Sequence, residues 1–252
     1  MISERDLSAI AKLKGLPITL AEVDYLQDIA LMNTCREFGN KLVFKGGTCL
    51  YKIYQLNRFS EDLDFTATRN FRNEEFFNRL PYFFKLLNIN THIKTEKFGN
   101  SLNIYLDCNG PLYEGRKETS RTVILNISFR ERVILPAIRA QYLPSYKEVR
   151  PFDIFAMSES EILAEKIRAI YTRKKARDVY DLWYLIKVKS VKPDISLIKK
   201  KLSRAETTFS QDTLLAKIEE KRRSWDNDLA ALVPGNLPKF TQVRNEINSA
   251  IL

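Results

Sequence analysis

The feature that most restricts the fold is a pair of glycines that separates a short apolar run from a helical pattern. Residues 42–44 are too few for a helix and end at Gly46-Gly47, and residues 48–56 then have helical spacing. Glycines at a strand-to-helix turn let a ligand approach the backbone closely, and the N–H groups at the following helix start favour phosphate. The turn therefore predicts a strand, a phosphate-binding loop and a helix.

Two aspartates follow this turn in a second strand pattern. Residues 59–66 alternate apolar and polar side chains, so Asp62 and Asp64 share one face while Leu63 and Phe65 enter the core. Taken alone, such a pair is more often a solvated strand end than a metal site. Beside a phosphate loop, however, two carboxylates are what Mg²⁺- or Mn²⁺-dependent phosphoryl or nucleotidyl transfer requires.

The rest of the pattern predicts an α+β chain with a small mixed sheet, followed by a helical region. A length of 252 residues allows one large domain or two modest ones. The character changes after Pro151, so we predict domains at 1–150 and 151–252. Capping-box patterns predict helix starts at residues 19–22 and 158–161. Further predictions are helices over 19–38, 72–88, 176–188, 194–203, 210–232 and 238–250, and strands over 91–98, 102–107 and 121–129.

Cysteine, histidine and apolar content exclude several classes of protein. The three cysteines are an odd number without CxxC spacing, which argues against a disulfide framework and a zinc ribbon. We expect them to be reduced and buried, and the single histidine, His92, to lie on a strand face. No apolar run approaches the roughly 18 residues that span a bilayer, and Glu4 and Asp6 stand where a signal peptide would be basic and then apolar. A cytoplasmic protein without a membrane partner is the expectation.

The charge is strongly positive and unevenly distributed. The formal net charge is +10 and the sequence pI is about 9.4, which favours a polyanionic partner. Residues 187–223 hold eleven basic and five acidic side chains, including Lys199-Lys200-Lys201 and Lys221-Arg222-Arg223. By itself this block is more often a solvated helix face. Next to a nucleotidyl transfer site, it becomes a candidate surface for docking RNA.

Four motifs in order resemble a known family. They are Lys45-Gly46-Gly47-Thr48, Arg58-Phe59-Ser60-Glu61-Asp62-Leu63-Asp64-Phe65, Glu165-Lys166 and Ala176-Arg177-Asp178-Val179-Tyr180-Asp181-Leu182. Together they resemble the AbiEii/AbiGii-type toxin nucleotidyltransferases, which include the MenT toxins and belong to the DNA polymerase β-like nucleotidyltransferase superfamily. The motifs extend over about residues 44–185, most of the chain.

The resemblance implies a nucleotidyltransferase domain and a helical domain that completes the active site. It implies transfer of an NMP from an NTP to RNA, with the 3′ end of a tRNA as acceptor, by the toxin of a toxin–antitoxin or phage-defence module. The implied partner is a winged-helix antitoxin. The implied metal ligands are Asp62 and Asp64. The implied catalytic residues are Asp62, Asp64, Lys166 and Asp178. The residues implied to hold or support the triphosphate are Gly46, Gly47, Thr48, Arg58 and Ser60.

The spacing of Lys166 and Asp178 adds a structural prediction. On one straight helix they would lie about 18 Å apart and about 120° out of phase, so they could not share a site. We therefore predict a break near residues 172–175 that folds two helices back on each other. Without the upstream motifs, Lys166 would be read as an exposed helix lysine and Asp178 as half of a surface ion pair.

One position departs from the pattern of the superfamily, whose members commonly carry a third carboxylate on a later strand. Asn126 occupies the expected position, and a neutral amide coordinates a cation weakly and cannot act as a base. Asp107, Glu131 or Asp178 could substitute. The alternatives are a catalytically weakened protein of the same fold that binds NTP or nucleic acid, and an enzyme that nucleotidylates a protein.

Overall fold

The structure of the protein is a computed structural model that describes residues 1–69, 71–72, 74–203 and 206–251. The chain forms two compact units. The first comprises Met1–Ile53 and Phe59–Met157, and the second comprises Tyr54–Arg58 and Ser158–Leu252. The two units meet along the chain between Met157 and Ser158, a few residues beyond the domain boundary predicted at residue 150. The domain boundary itself stays a prediction.

In the described part of the first unit, seven strands form one sheet, which confirms the predicted α+β fold with a mixed sheet. Their order across the sheet is β3-β4-β5-β2-β1-β7-β6. The pair β1–β2 is antiparallel, whereas β2–β5 and β1–β7 are parallel. The strands are β1 (Leu42–Lys45), β2 (Asp62–Ala67), β3 (Asn90–Phe98), β4 (Ser101–Asn109), β5 (Arg121–Ser128), β6 (Ile138–Tyr142) and β7 (Phe152–Ala156).

The described residues of the first unit also form four α-helices: α1 (Glu4–Lys14), α2 (Ile18–Phe38), α3 (Gly46–Ile53) and α4 (Leu80–Lys85). Helix α2 packs against β5 and β7. It begins after Pro17 without a side-chain cap, so the predicted capping box at residues 19–22 does not form. Glu22 is instead buried, and its carboxylate accepts a hydrogen bond of 2.7 Å from the backbone N–H of Leu112, 90 positions along the chain.

Two stretches of the first unit differ from the sequence-based predictions. The predicted helix over 72–88 is a 3₁₀ segment at Glu74–Arg79 followed by α4, with residue 73 outside the described residues. Pro81 explains the break, since proline lacks an N–H group and fits only the first turn of a helix. Strands β6 and β7 were not predicted, and β7 follows Pro151, where a helical character was expected.

The second unit is helical in its described residues. Its helices are α5 (Glu159–Thr172), α6 (Arg177–Trp183), α7 (Ile195–Ser203), α8 (Gln211–Glu219), α9 (Trp225–Leu229) and α10 (Phe240–Ile251). Ser158 caps α5 by accepting from the N–H of Glu161, as predicted. Helix α6 continues as a π-helical segment at Tyr184–Val188. The predicted helix over 210–232 is divided into α8, a 3₁₀ turn at Arg222–Ser224 and α9.

The sheet has one buried face and one open face. Leu63, Phe65, Leu125 and Ile127 are at most 1% exposed. The residues that alternate with them include Asp62 and Asp64 of β2 and Ile124, Asn126 and Ser128 of β5, and these five are half-buried. Cys35, Cys49 and Cys108 are free and buried, as predicted, and His92 is exposed on β3. Across the described residues, no helix is both long and apolar enough to cross a membrane.

Candidate functional site

The turn between β1 and α3 requires glycine at its first position. Gly46 has a φ of +77°, and a Cβ atom there would lie 2.6 Å from Oδ2 of Asp64. A side chain would therefore be strained by the backbone and would collide with a carboxylate. At this point the chain passes from a strand into the N-terminus of a helix, whose unpaired N–H groups favour anions.

Thr48 ties this turn to the strand that carries the aspartates. Its hydroxyl is buried and donates a hydrogen bond to the backbone carbonyl of Asp62. Gly47 is buried next to it in the first turn of α3. The structure thus brings Gly46, Gly47 and Thr48 together with the two aspartates, through contacts that lie within the first unit.

Asp62 and Asp64 lie on the open face of the sheet, as alternation along β2 predicts. Both are half-buried, and the residues between and after them, Leu63 and Phe65, are buried on the other face. On one side, Asp64 is paired in register with Lys45 of β1, and on the other with Asn126 of β5. The two carboxylates therefore sit near the middle of the sheet and border the glycine turn.

Asn126 occupies the position beside Asp64 where the sequence pattern placed it. Its side-chain amide donates a hydrogen bond of 3.1 Å from Nδ2 to Oδ1 of Asp64. An amide in that position orients the carboxylate but brings no negative charge. Asn126 thus fixes one oxygen of Asp64, on the side of the carboxylate away from β1.

The carboxylates that could substitute within the first unit are bound by other side chains. Asp107 is paired in register with Thr122 and accepts a hydrogen bond of 2.6 Å from its hydroxyl. Thr122 precedes Asn126 by four residues on β5, which is about 13 Å along a strand. Glu131 forms an ion pair with Lys45. Neither carboxylate completes a three-carboxylate set around Asp64.

The donor set at Asp62 and Asp64 fits a hard divalent cation. Among the residues described, no three or more His, Cys, Asp or Glu side chains form a group that could enclose a metal ion. Mg²⁺ differs from zinc in commonly using one or two protein carboxylates, with substrate phosphates and water as its other ligands. Asp62 and Asp64 beside a phosphate-favouring helix start match that chemistry.

In the second unit, a turn brings Lys166 and Asp178 together, as predicted. Helix α5 ends at Thr172 and α6 begins at Arg177. Nζ of Lys166 lies 3.1 Å from Oδ1 of Asp178 and 2.6 Å from Oδ2 of Asp181. One straight helix would have separated these groups, so the break between the helices creates the cluster.

Two arginines complete this cluster. Nε and Nη2 of Arg58 each lie 2.6 Å from an oxygen of Asp181, a bidentate geometry that favours specificity and strength. Nε of Arg173 lies 2.6 Å from Oδ2 of Asp178. We name this set of five residues, Arg58, Lys166, Arg173, Asp178 and Asp181, the ion cluster.

The carboxylates of the ion cluster are held in their charged form. Burial alone would raise the pKa of Asp178, but Lys166 and Arg173 outweigh it and lower that pKa below its usual value of 3.8. Burial acts on Asp181 in the same direction, and Arg58 and Lys166 again make the net effect a lowered pKa. Both groups are therefore carboxylates at neutral pH and poor proton acceptors.

The remaining predicted residue of the site, Ser60, is buried in the first unit. Its backbone carbonyl accepts a hydrogen bond of 3.0 Å from Nε2 of Gln27. Arg58 belongs to the second unit and Ser60 to the first. The structure therefore places these two neighbouring motif residues in different surroundings.

The basic block contributes less exposed charge than its sequence indicates. Lys201 is buried and contacts Glu161 at 2.6 Å and Glu165 at 2.9 Å. Lys221 is also buried and donates to the carbonyl of Ile170 at 2.7 Å. Lys199 and Lys200 are exposed. Lys201 and Lys221, one residue of each basic triplet, are therefore not part of the candidate surface for docking RNA.

Several charge pairings of the site were not predicted, among them Arg173 with Asp178 and Lys45 with Glu131. Arg173 lies in the predicted break, five residues before Asp178, so its spacing was a usable signal. The pair Lys45–Glu131 joins residues 86 positions apart, and no local pattern could have indicated it.

Comparisons with known proteins identify the family of the chain and similar folds. The family profile described as "Nucleotidyl transferase AbiEii toxin, Type IV TA system" matches residues 30–246. The fold is similar to that of MenT4, a nucleotidyltransferase toxin from Mycobacterium tuberculosis, with a TM-score of 0.68 and 18% sequence identity over 100% of this chain and 89% of that one. It is also similar to JHP933 from Helicobacter pylori, with a TM-score of 0.57 and 20% identity over 92% and 90% of the respective chains. No curated protein sequence matches the chain.

Proposed function

Because this chain belongs to the AbiEii family and is a nucleotidyltransferase toxin of a type IV toxin–antitoxin system, we propose that it transfers an NMP from an NTP to an RNA acceptor. We propose the 3′ end of a tRNA as that acceptor and Mg²⁺ or Mn²⁺ as the required ion. The observation that carries the proposal is the position of Asp62 and Asp64 on the open sheet face, next to a turn where only glycine fits.

In this proposal the first unit binds the reacting phosphates. Backbone N–H groups at Gly46 and Gly47 and the start of α3 would hold the triphosphate, and Asp62 and Asp64 would hold the ion. Bound there, Mg²⁺ would neutralise phosphate charge and increase the electrophilic character of the α-phosphorus. Thr48 and Asn126 would keep the two aspartates in place, through the hydrogen bonds described above.

The proposed transfer is a substitution at the α-phosphorus. The terminal hydroxyl oxygen of the acceptor forms the new P–O bond, the bond to the β-phosphate oxygen breaks, and pyrophosphate leaves. The hydroxyl proton is released to water. We propose that Lys166 neutralises phosphate charge. Asp178 would orient Lys166 rather than take the proton, because its lowered pKa makes it a weak base.

Arg58 and Ser60 would act indirectly. Arg58 is 2% exposed and bound by Asp181, so we propose that it maintains the ion cluster that holds Lys166. Ser60 would fix the segment that leads into β2, through its carbonyl contact with Gln27. Both are positioning residues in this account.

The type IV toxin–antitoxin family implies an antitoxin as partner. We propose a separate winged-helix protein for that role, as in the relatives that the sequence motifs resemble. Exposed lysines of the basic block, among them Lys199 and Lys200, are proposed to contact RNA phosphates. Action on tRNA would place the protein in the cytoplasm.

A second candidate function is binding of NTP without efficient transfer. Asn126 favours it, because the amide beside Asp64 stands where a third carboxylate would otherwise help to bind metal. This protein would bind nucleotide and leave RNA unmodified.

Transfer of label tests the proposal. Purified protein is incubated with Mg²⁺, total RNA and each α-³²P-labelled NTP in turn, and compared with Asp62→Ala and with Asp153→Ala. Asp153 is an exposed carboxylate on β7, paired with Arg139, so it serves as the matched control. We expect label in tRNA-sized RNA, a loss of at least about 10³-fold for Asp62→Ala, since metal contacts contribute several kcal/mol, and no change for Asp153→Ala.

Other outcomes would each redirect the assignment. Label on protein would indicate a protein acceptor. Nucleotide binding without any labelled product would favour the second candidate. Full activity in Asp62→Ala would refute the assignment of that carboxylate to the metal.

A further inference from the structure

A basic, partly aromatic pocket lies in the first unit where β2 and β5 end. Its volume is about 460 Å³, and the residues that line it include Arg69, Arg72, Arg132, Phe71, Phe129 and Glu131. Strands β2 and β5 are parallel, so their carboxyl ends meet at one edge of the sheet. The functions assigned so far to the aspartates and the glycine turn do not use this pocket.

Strand β2 and the ion pair between Glu131 and Lys45 relate the pocket to the aspartates. Ala67, which also lines it, follows Asp64 by three residues on β2, about 10 Å along the strand. On the other side, Glu131 forms an ion pair with Lys45, the residue paired in register with Asp64. Ala67 faces the opposite side of the sheet from Asp64, so a ligand would extend from the pocket towards the proposed site of transfer along Glu131 and Lys45.

The charge of the pocket is positive. Three guanidinium groups and one carboxylate line it, and that carboxylate is already paired with Lys45. Arg69, Arg72 and Arg132 are exposed. Arg72 also donates hydrogen bonds to the carbonyls of Arg69 and Phe71, at 3.1 and 2.7 Å, which orient its guanidinium group. Planar guanidinium groups donate paired hydrogen bonds to phosphate oxygens, so three of them could bind the phosphodiester groups of a nucleic acid.

An aromatic ring is presented to the same pocket. Phe129 is 37% exposed, and its ring centroid lies 5.7 Å from that of Phe71, which is buried against Phe38. A buried ring thus supports an exposed one. Exposed aromatic rings among basic side chains are the usual platform for unpaired bases of single-stranded nucleic acid.

We propose that this pocket binds the single-stranded terminal segment of the RNA acceptor. A base stacks on Phe129, and the three arginines contact the phosphates next to it. The inference rests on the proposed function, since it names where the acceptor strand of that reaction is bound. An acidic protein surface would match the arginines but would leave the exposed ring without a stacking partner.

Binding of a short RNA, measured without NTP, tests this assignment. A 5′-fluorescein-labelled single-stranded RNA of mixed sequence is titrated with the full chain, and anisotropy is recorded at several salt concentrations. The pocket variant is Arg69→Ala/Arg72→Ala/Arg132→Ala. Its matched control is Arg5→Ala/Arg116→Ala/Arg139→Ala, which removes three exposed arginines from elsewhere in the first unit.

We expect the pocket variant to bind at least about tenfold more weakly than the control at 0.1 M salt. The slope of log K against log salt concentration should become about 2 units shallower, because each phosphate contact on a single strand contributes about 0.7. The proposal would be overturned if the pocket variant and the control bound the RNA with the same affinity. It would also be overturned if the wild-type protein did not bind the RNA.

Phe129→Ala gives an independent measurement, since it removes the ring and leaves the three arginines in place. We expect about tenfold weaker RNA binding with an unchanged salt slope, whereas Phe98→Ala, which removes a ring that is 60% exposed on β3, should bind like wild type. Equal affinities of the two variants would contradict stacking on Phe129.

Transfer assays on the same variants separate this proposal from the proposed function. Wild type and the pocket variant could both label RNA and have the same KM for RNA. That result would overturn the pocket assignment and leave the proposed function intact. Loss of RNA binding in the pocket variant, with no transfer to RNA by wild type, would support the pocket and refute the proposed reaction.

Discussion

The chain holds two pairs of aspartates that lie in opposite surroundings. Asp62 and Asp64 are half-buried on an open sheet face, where Asn126 supplies an uncharged hydrogen bond. Asp178 and Asp181 are fully buried, and ammonium and guanidinium groups surround them. The first pair holds the carboxylates that we propose as ligands of a divalent cation. The cations that neutralise the second pair are side chains of the protein itself. We therefore expect Asp178 and Asp181 to contribute mainly to the stability of the second unit.

Removing one partner of the ion cluster should have the largest effect on stability. Asp181→Ala leaves Arg58 and Lys166 buried without that carboxylate, and we expect it to lower the free energy of unfolding by about 3–5 kcal/mol. Denaturant unfolding followed by tryptophan fluorescence measures this, because both tryptophans, Trp183 and Trp225, belong to the second unit.

The double variant Arg58→Met/Asp181→Leu sharpens this result. Replacing both members of a buried pair by apolar groups removes the cost of an unpaired charge. We therefore expect the double variant to be more stable than either single one. If Asp181→Ala costs less than about 1 kcal/mol, the contrast between the two aspartate pairs is wrong.

Acid should destabilise the second unit through the same two carboxylates. Their pKa values are lowered in the folded protein, so their stabilising contribution is fully present above the unfolded value of about 3.9 and is lost as the pH falls below it. Each pKa unit of lowering corresponds to about 1.4 kcal/mol. Unfolding monitored by tryptophan fluorescence from pH 6 to pH 2.5 should show this loss, with a shallower pH dependence in Asp178→Asn.

Adding a negative charge beside Asp64 should make the thermal stability of the protein depend more strongly on Mg²⁺. Asn126→Asp replaces an amide donor by a second carboxylate, and like charges so close repel. We expect a loss of about 1 kcal/mol without divalent cations, or about 3 °C in Tm, and a larger rise in Tm with Mg²⁺ than wild type shows. Asn126→Ala, which removes the hydrogen bond without adding charge, should lack the larger rise.

An exposed ion pair should have the smallest effect on the free energy of unfolding. Lys217 and Glu220 form a contact of 2.8 Å one turn apart on the surface of the second unit. Solvent screens such pairs, so Lys217→Ala should change the free energy of unfolding by less than about 0.5 kcal/mol. A loss comparable to that of Asp181→Ala would mean that burial does not distinguish the two kinds of pair.

The sequence by itself determined the strand, glycine turn and helix at residues 42–53, the shared face of Asp62 and Asp64, and the break between α5 and α6. These features follow from local rules: the period of a strand, the freedom of glycine at positive φ, and the pitch of a helix. It also identified Asn126 as the residue beside the aspartates, and the register of β2 with β5 agrees.

Only the tertiary structure decided the long-range partners. The pairing of Arg58 with Asp181 spans 123 positions, and the burial of Lys201 and Lys221 within a basic block depends on how the helices of the second unit pack. Strands β6 and β7 form because neighbouring strands supply their hydrogen bonds, which no local period reveals. The energy of such contacts comes from burial and from partners distant in the chain, so spacing in the sequence carries no record of them.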